Sequence, residues 1–148
     1  MINLKIRTAT KSDIPFIHEI EKTCFNDPWS IDSLSGDLGS SLMLVCEEDN
    51  IIIGYANIKY CLSEGDLVRI AILPSFQGNG YGKLLLEEIK KQAKLLGINV
   101  VFLEVRVSNK VAYNLYIKEN FIQIGKRANF YINPREDALL LKYEDSSN

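Results

Sequence analysis

Between Val68 and Leu86 the chain commits itself to one local architecture. A β-type apolar run, Leu67 to Leu73, is stopped by Pro74, and three glycines follow at alternate positions, Gly78, Gly80 and Gly82. A helical pattern starts directly behind them. The order predicts a strand, a tight glycine loop and a helix N-terminus. The first N–H groups of a helix lack internal partners and carry partial positive charge. Glycines let the backbone approach a ligand, so the unit suits a phosphate or pyrophosphate. Two common phosphate loops fail on spacing. Gly82-Lys83 is followed by Leu84, so the hydroxyl of a P-loop is missing. The spacing G-x-G-x-G is also not the dinucleotide fingerprint G-x-G-x-x-G. Taken alone, the loop is equally compatible with a glycine-rich turn that holds nothing.

At 148 residues the chain predicts one domain, residues 1–148, with a single sizeable core. A net charge of -2 argues against direct nucleic-acid binding, which favours a basic surface. It leaves room for a basic peptide partner. Cys24, Cys46 and Cys61 are odd in number, widely spaced and set among apolar neighbours. They read as buried free thiols of a reducing compartment, with no metal site. His18, the single histidine, reads as a surface or boundary residue of a helix. No stretch has the apolar length of a membrane span, and the N-terminal residues lack a signal-peptide pattern. The expectation is a soluble, cytoplasmic chain. Nothing in the sequence specifies an oligomeric state.

Leu4 to Arg7 alternates like a short strand. Thr10 and Ser12 offer N-caps to a helix whose Ile17, Ile20 and Cys24 share a face. Asn26-Asp27-Pro28 breaks it, and Ser30 caps a second helix ending near Gly36. Leu42 to Glu47 and Ile51 to Tyr60 form a hairpin through Asp49-Asn50. Ser63-Glu64-Gly65 turns into a third strand, Asp66 to Leu73. Leu85, Ile89, Ala93 and Leu96 predict the buried stripe of the helix behind the loop, with Gly97 closing it. Val100 to Val105 reads as a strand buried on both faces. Val111 to Glu119 is a helix capped by Asn109 or Ser108, and Asn120 ends it in a left-handed turn. Phe121 to Gly125 and Ala138 to Tyr143 are the last strands, with a frayed end from Glu144 to Asn148. The fold class is therefore α/β (α+β), with a mixed central sheet and helices on both faces.

The segment Gln77-x-x-Gly80-x-Gly82 is similar to the acyl-CoA loop of the GCN5-related N-acetyltransferases, and the order of elements is theirs as well. Further motifs narrow the resemblance. They are Phe25-x-x-Pro28-Trp29-Ser30, Leu103-Glu104-Val105-Arg106-x-Ser108-Asn109, Ala112-x-x-Leu115-Tyr116, Arg127-x-Asn129-Phe130-Tyr131 and Arg135-Glu136-Asp137-Ala138. Together they resemble the ribosomal-protein-alanine N-acetyltransferases, which acetylate the N-terminal alanine of a small-subunit ribosomal protein. The resemblance implies acetyl-CoA as co-substrate and a ribosomal protein's N-terminus as peptide partner. The family's usual Leu-Gly-Phe is Glu119-Asn120-Phe121 here. Its Asn-Tyr-Tyr is Asn129-Phe130-Tyr131, one hydroxyl fewer near the expected peptide entrance.

Matched motif by motif, the resemblance puts the proton acceptor at Glu104 and the proton donor at Tyr116. It puts the acetyl-CoA contacts at Ile70, Ala71 and Ile72, at Gln77, Gly78, Asn79, Gly80, Tyr81, Gly82 and Lys83, and at Asn109. Only the strand backbone is expected to act at Ile70 to Ile72, as when an extended ligand joins a sheet edge. A carboxylate within an apolar run is costly unless paired or wet, and partial burial would make it a better base. Glu104 alternatively pairs with Arg106 or ends its strand in solvent. Tyr116 is alternatively a core aromatic, as Tyr113 on the same helix illustrates. Asn109 caps its helix, binds cofactor, or does both. Trp29 anchors the second helix or lines the substrate loop. Asp32 or Glu47 would attract a basic peptide if either stood at the entrance. Three other readings stay open: an acetylase of other N-termini or small amines, an acyl-CoA-binding module without catalysis, and a structural partner with an empty loop.

Overall fold

The computed structural model describes residues 3–145. The frayed end expected from Glu144 is not seen at its first two residues, since Glu144 closes the last strand and the Asp145 N–H donates to the Asn99 carbonyl at 2.8 Å; Ser146 to Asn148 lie outside the described residues, as do Met1 and Ile2. Seven strands form one sheet in the order β1-β2-β3-β4-β5-β7-β6. In chain order the elements are β1 (Leu4–Thr8), α1 (Ile14–Cys24), α2 (Ile31–Asp37), β2 (Ser41–Glu48), β3 (Ile51–Cys61), β4 (Glu64–Ile72), α3 (Tyr81–Leu95), β5 (Val100–Arg106), α4 (Lys110–Lys118), β6 (Ile122–Tyr131) and β7 (Glu136–Glu144). All neighbouring strands are antiparallel except β4 and β5. Those two need a long crossover, which the loop and α3 supply.

Strand alternation builds two cores. Leu42, Leu44 and Cys46 of β2 pack with Leu85, Leu86 and Ile89 of α3. Met43 and Val45 turn the other way, onto Ile17 and Ile20 of α1 and Leu34 of α2. Successive side chains of a strand face opposite sides, so β2 is buried on both. Each fully buried Leu or Ile contributes roughly 1.5–3 kcal/mol of transfer free energy. Capping residues set the helix starts. Thr10 and Asp13 form a capping box ahead of α1, and the Ser30 hydroxyl accepts from the Ser33 N–H at 3.1 Å. Asp49 and Asn50 carry φ of 50° and 70°, the left-handed pair of a two-residue hairpin turn.

Several expectations need correction. The second hairpin turns at Leu62-Ser63, not Ser63 to Gly65, because pairing persists to Cys61 opposite Glu64. The buried face of α3 takes Tyr81 and Leu86 but not Leu96, which lies past the helix end and is exposed. β5 alternates: Val101, Leu103 and Val105 are buried while Glu104 is exposed. Cys46 is buried, but Cys24 is half-buried and Cys61, at the open end of β3, is exposed. β6 continues past Gly125 to Tyr131, and β7 begins at Glu136. Among the described residues no helix is long and apolar enough to cross a membrane, and no cluster of His, Cys, Asp and Glu could hold a metal.

Candidate active site

The central feature is a parting of β4 from β5. They pair only at Glu64 with Val100, Gly65 with Val101 and Asp66 with Phe102. β4 then keeps to β3 as far as Ile72, and β5 keeps to β7 as far as Arg106. A register shift opposite Asn57 and Ile58 leaves Val68 as an extra residue of β4. Such a bulge bends and twists the strand that carries it. The result is a gap in the middle of the sheet, edged by the half-buried residues Val68 to Ala71.

One face of this gap suits an acyl carrier. The Leu73 N–H donates to the Ile53 carbonyl, so by alternation Ala71 also faces β3. Ile70 and Ile72 therefore turn their N–H and C=O groups toward the gap. Gln77 reaches back from the loop, its Nε2 donating to the Ile72 carbonyl at 2.9 Å. Gly78 and Gly80 have φ of 82° and 80°, and a Cβ on either would meet nothing within 4 Å. Gly80 is the N-cap of α3 and makes no side-chain cap, and the first helical bond runs from the Leu84 N–H to the Gly80 carbonyl. The N–H groups of Tyr81, Gly82 and Lys83 thus point out of the helix end, a cradle that fits a pyrophosphate.

The same face holds Tyr116. It belongs to the core cluster with Leu103 and Val105, meets the Phe121 ring in a tilted contact with centroids 5.7 Å apart and is 7% exposed. Burial, then the neighbouring Tyr131, pushes its phenol well above the ordinary range. The group stays protonated at neutral pH, as a proton donor must.

Glu104 opens on the opposite face, because Leu103 and Val105 claim the first one. Arg106 does not pair with it. The Arg106 guanidinium bonds Glu136 at 3.1 Å and the Pro134 carbonyl at 3.0 Å, and covers the Tyr131 ring at 4.3 Å. Glu136 also accepts from the Ser108 N–H at 2.8 Å. Burial and then Glu104 raise the Tyr131 pKa. Tyr131 is therefore within electrostatic reach of Glu104, and Tyr116 is within reach of Tyr131.

A loop, Phe25 to Ser30, joins α1 to α2 on this second face. Its anchors were not legible as functional residues in the sequence. Glu21, fully buried, accepts from the Trp29 N–H at 2.8 Å, from Arg69 Nε at 3.2 Å and from the Tyr55 hydroxyl. Arg69 comes from β4, beside the gap, and its guanidinium lies 4.0 Å from the Phe25 ring and 4.4 Å from the Trp29 ring. His18 Nδ1 lies 3.0 Å from the Trp29 carbonyl. Asn26 Nδ2 donates to the Asn133 carbonyl at 3.1 Å, joining the loop to the β6–β7 hairpin. Partners 48 residues apart leave no periodicity to read; only an arginine placed within an apolar strand could have drawn attention.

The structure thus gathers Glu104, Tyr116, Ile70, Ile72 and the loop around one gap. Ala71 borders it but turns its backbone to β3. Tyr81 sends its side chain into the core, its hydroxyl donating to Glu48 at 2.9 Å, so only its N–H faces the cradle. Asn79 Nδ2 donates to the Phe76 carbonyl, bracing the loop. A Cβ on Gly82 would come 3.2 Å from Leu115, so this glycine serves the approach of α3 to α4. The Lys83 side chain is exposed, 3.9 Å from Glu87. Asn109 caps α4, its Oδ1 accepting from the Ala112 N–H at 3.2 Å. Trp29 packs against the α1–α2 core. Glu104 is exposed rather than partly buried. Glu47 is ion-paired with Arg7 on β1, away from the gap, while Asp32 is exposed in the first turn of α2.

A split sheet with a glycine-edged helix end on one side and a carboxylate on the other suits transfer of an acyl group from a pyrophosphate-bearing carrier. The family model described as Acetyltransferase (GNAT) family matches residues 14–121. The chain belongs to that family and is an acyltransferase. It is 40% identical over 133 residues to the [ribosomal protein bS18]-alanine N-acetyltransferase of Haemophilus influenzae, covering 87% of this chain and 90% of the relative. The crystal structure of the ribosomal-protein-S18-alanine N-acetyltransferase from Escherichia coli superposes with a TM-score of 0.91 at 28% identity, covering 99% of this chain and 96% of that one. An N-acetyltransferase from Thermoplasma acidophilum in complex with coenzyme A shares the fold, with a TM-score of 0.80 at 19% identity over 96% and 99% of the two chains. Acetyl-CoA is the acetyl donor of this family.

Proposed function

We propose that residues 1–148 act as one domain that moves the acetyl group of acetyl-CoA onto the N-terminal α-amine of an alanine-led ribosomal protein, in the cytoplasm. The relatives named above support the substrate class. The observation that carries the reading is the gap between β4 and β5, with Glu104 on one face and a protonated Tyr116 on the other.

Ile70, Ile72, the helix-end N–H groups from Tyr81 to Lys83, and Asn109 are the groups that hold acetyl-CoA. Bound there, acetyl-CoA supplies an electrophilic thioester carbonyl and a thiolate leaving group. Glu104 takes the ammonium proton, directly or through a water, and frees the nitrogen lone pair. An α-amine has a pKa of ~7.7–8.0, so a sizeable fraction of it is already neutral near pH 8 and the proton to be removed is weakly held. As the C–N bond forms and the C–S bond breaks, the sulfur leaves with the electron pair. Tyr116 gives this sulfur its Oη proton, and the second proton that the nitrogen sheds on becoming an amide restores the phenol, so that one proton in all leaves through Glu104 to solvent.

The test is mass spectrometry of a synthetic hexapeptide with an alanine-led, ribosomal-type N-terminus, incubated with acetyl-CoA and either wild type or Glu104→Gln. One acetyl group on the α-amine with wild type, formed about 10²–10⁴-fold more slowly by the variant, is the expected result. Thermal stabilisation by acetyl-CoA with no peptide acetylation would overturn the reading and indicate a binding module.

A further inference from the structure

We infer that Arg69 is a positioning residue for the peptide: it clamps the Phe25 to Ser30 loop into the wall against which the acceptor's first residues lie. This rests on the reading of the gap as a peptide acetylation site. The Arg69 side chain is largely enclosed. The guanidinium contacts the rings of both Phe25 and Trp29, at 4.0 and 4.4 Å. Its Nη2 donates to the Asp27 carbonyl at 2.9 Å, and its Nε to buried Glu21 at 3.2 Å. The side chain is 12% exposed. One residue therefore fixes the loop at Phe25, Asp27 and Trp29, while Glu21 holds the loop again through the Trp29 N–H.

The clamp points at the reaction site from both ends. Arg69 immediately precedes Ile70, whose backbone faces the gap. Its charge, together with those of Glu104 and Arg106, acts on the Tyr131 phenol. The loop it holds meets the β6–β7 hairpin through Asn26 and Asn133, so loop and hairpin are tied together. Lysine cannot replace this arrangement. A planar guanidinium stacks on rings and donates in several directions, whereas an ammonium is a compact point charge. With Lys at this position the loop loses its two ring contacts and the peptide loses a preformed wall, while the donor cradle on the other face is untouched.

The experiment compares wild type, Arg69→Lys and Glu21→Gln in two readouts. The first is steady-state kinetics with the alanine-led hexapeptide and acetyl-CoA. The second is acrylamide quenching of Trp29, which is the single tryptophan of the chain and therefore reports on the loop alone. The clamp predicts that Arg69→Lys raises the peptide KM roughly tenfold, with the acetyl-CoA KM changed less than about twofold. Trp29 becomes more readily quenched in the same variant at temperatures well below its melting transition. Glu21→Gln shifts both quantities the same way and by less, since the amide oxygen still accepts from the Trp29 N–H. Equal rises in both KM values, or unchanged quenching in Arg69→Lys, would overturn the clamp. If Arg69→Lys does not fold, Glu21→Gln decides by the same two criteria. A wild type that acetylates no peptide defeats the functional reading, and the quenching result still decides on the clamp.

Discussion

Glu104 shows how far a single residue can be understood from its neighbours in sequence. The apolar run around it marks a strand, and a carboxylate there demands a reason. What the run cannot convey is that β4 leaves β5 after Asp66, so that Glu104, paired with Leu140 of β7 on one side, borders open space on the other. The exposure of Glu104 is thus a tertiary fact. Arg69 and Glu21 were illegible for the same kind of reason, since their pairing joins β4 to α1. Tyr116 carries a pH prediction. Burial raises its pKa, so the donor form persists above the ordinary phenol value of ~10. kcat/KM for the peptide should rise as the α-amine deprotonates and then hold level through pH 9–10. A fall beginning near pH 9 in wild type, absent in Tyr116→Phe, would show an unshifted phenol. The Tyr116→Phe variant itself should lose about 10²-fold or more in kcat while still binding acetyl-CoA.

At the scale of elements, the glycine loop was the most legible part. The motif placed the end of β4, the turn and the start of α3, and the structure adds a distinct role for each glycine. Gly78 and Gly80 occupy left-handed φ, while Gly82 makes room for Leu115. Gly80→Ala should therefore cost about 1 kcal/mol or more in stability, from the strained φ, and weaken acetyl-CoA binding. Thermal melts with and without acetyl-CoA measure both. A variant as stable as wild type, with the same ligand-induced shift, would contradict this. The N-terminal elements offer a separate check. Arg7 bonds both oxygens of buried Asp13, at 2.7 and 2.9 Å, and also pairs with Glu47. The hydrogen bond from Arg7 is the largest cause that holds the Asp13 pKa below the carboxylate range. A depressed native pKa stabilises above the unfolded value of ~3.9 and is lost as pH falls through the native one. Urea melts should show stability falling below about pH 4, and Asp13→Asn should flatten that slope while costing about 1–3 kcal/mol at pH 7.

For the whole molecule, the order of elements was readable because helical and strand periodicities alternate cleanly, with capping residues at their borders. The two-faced core follows from strands such as β2 that are apolar on both sides. Strand order and the gap were not readable, because they depend on which edges meet. Yet the gap is what turns a common sheet into a meeting point. The glycine loop lies with α3 and α4 on one face, where the proposed function puts the donor, and the Phe25 to Ser30 loop lies with α1 and α2 on the other, where it puts the peptide. The most direct measurement of this arrangement is the affinity of a bisubstrate compound, coenzyme A joined through an acetyl bridge to the nitrogen of an alanine-led hexapeptide. Calorimetry should find it at least about a hundredfold tighter than coenzyme A alone, because both halves are held at once on opposite faces of one gap. Affinity no better than that of coenzyme A would mean that the peptide does not approach through the face that carries Glu104, and would contradict the account.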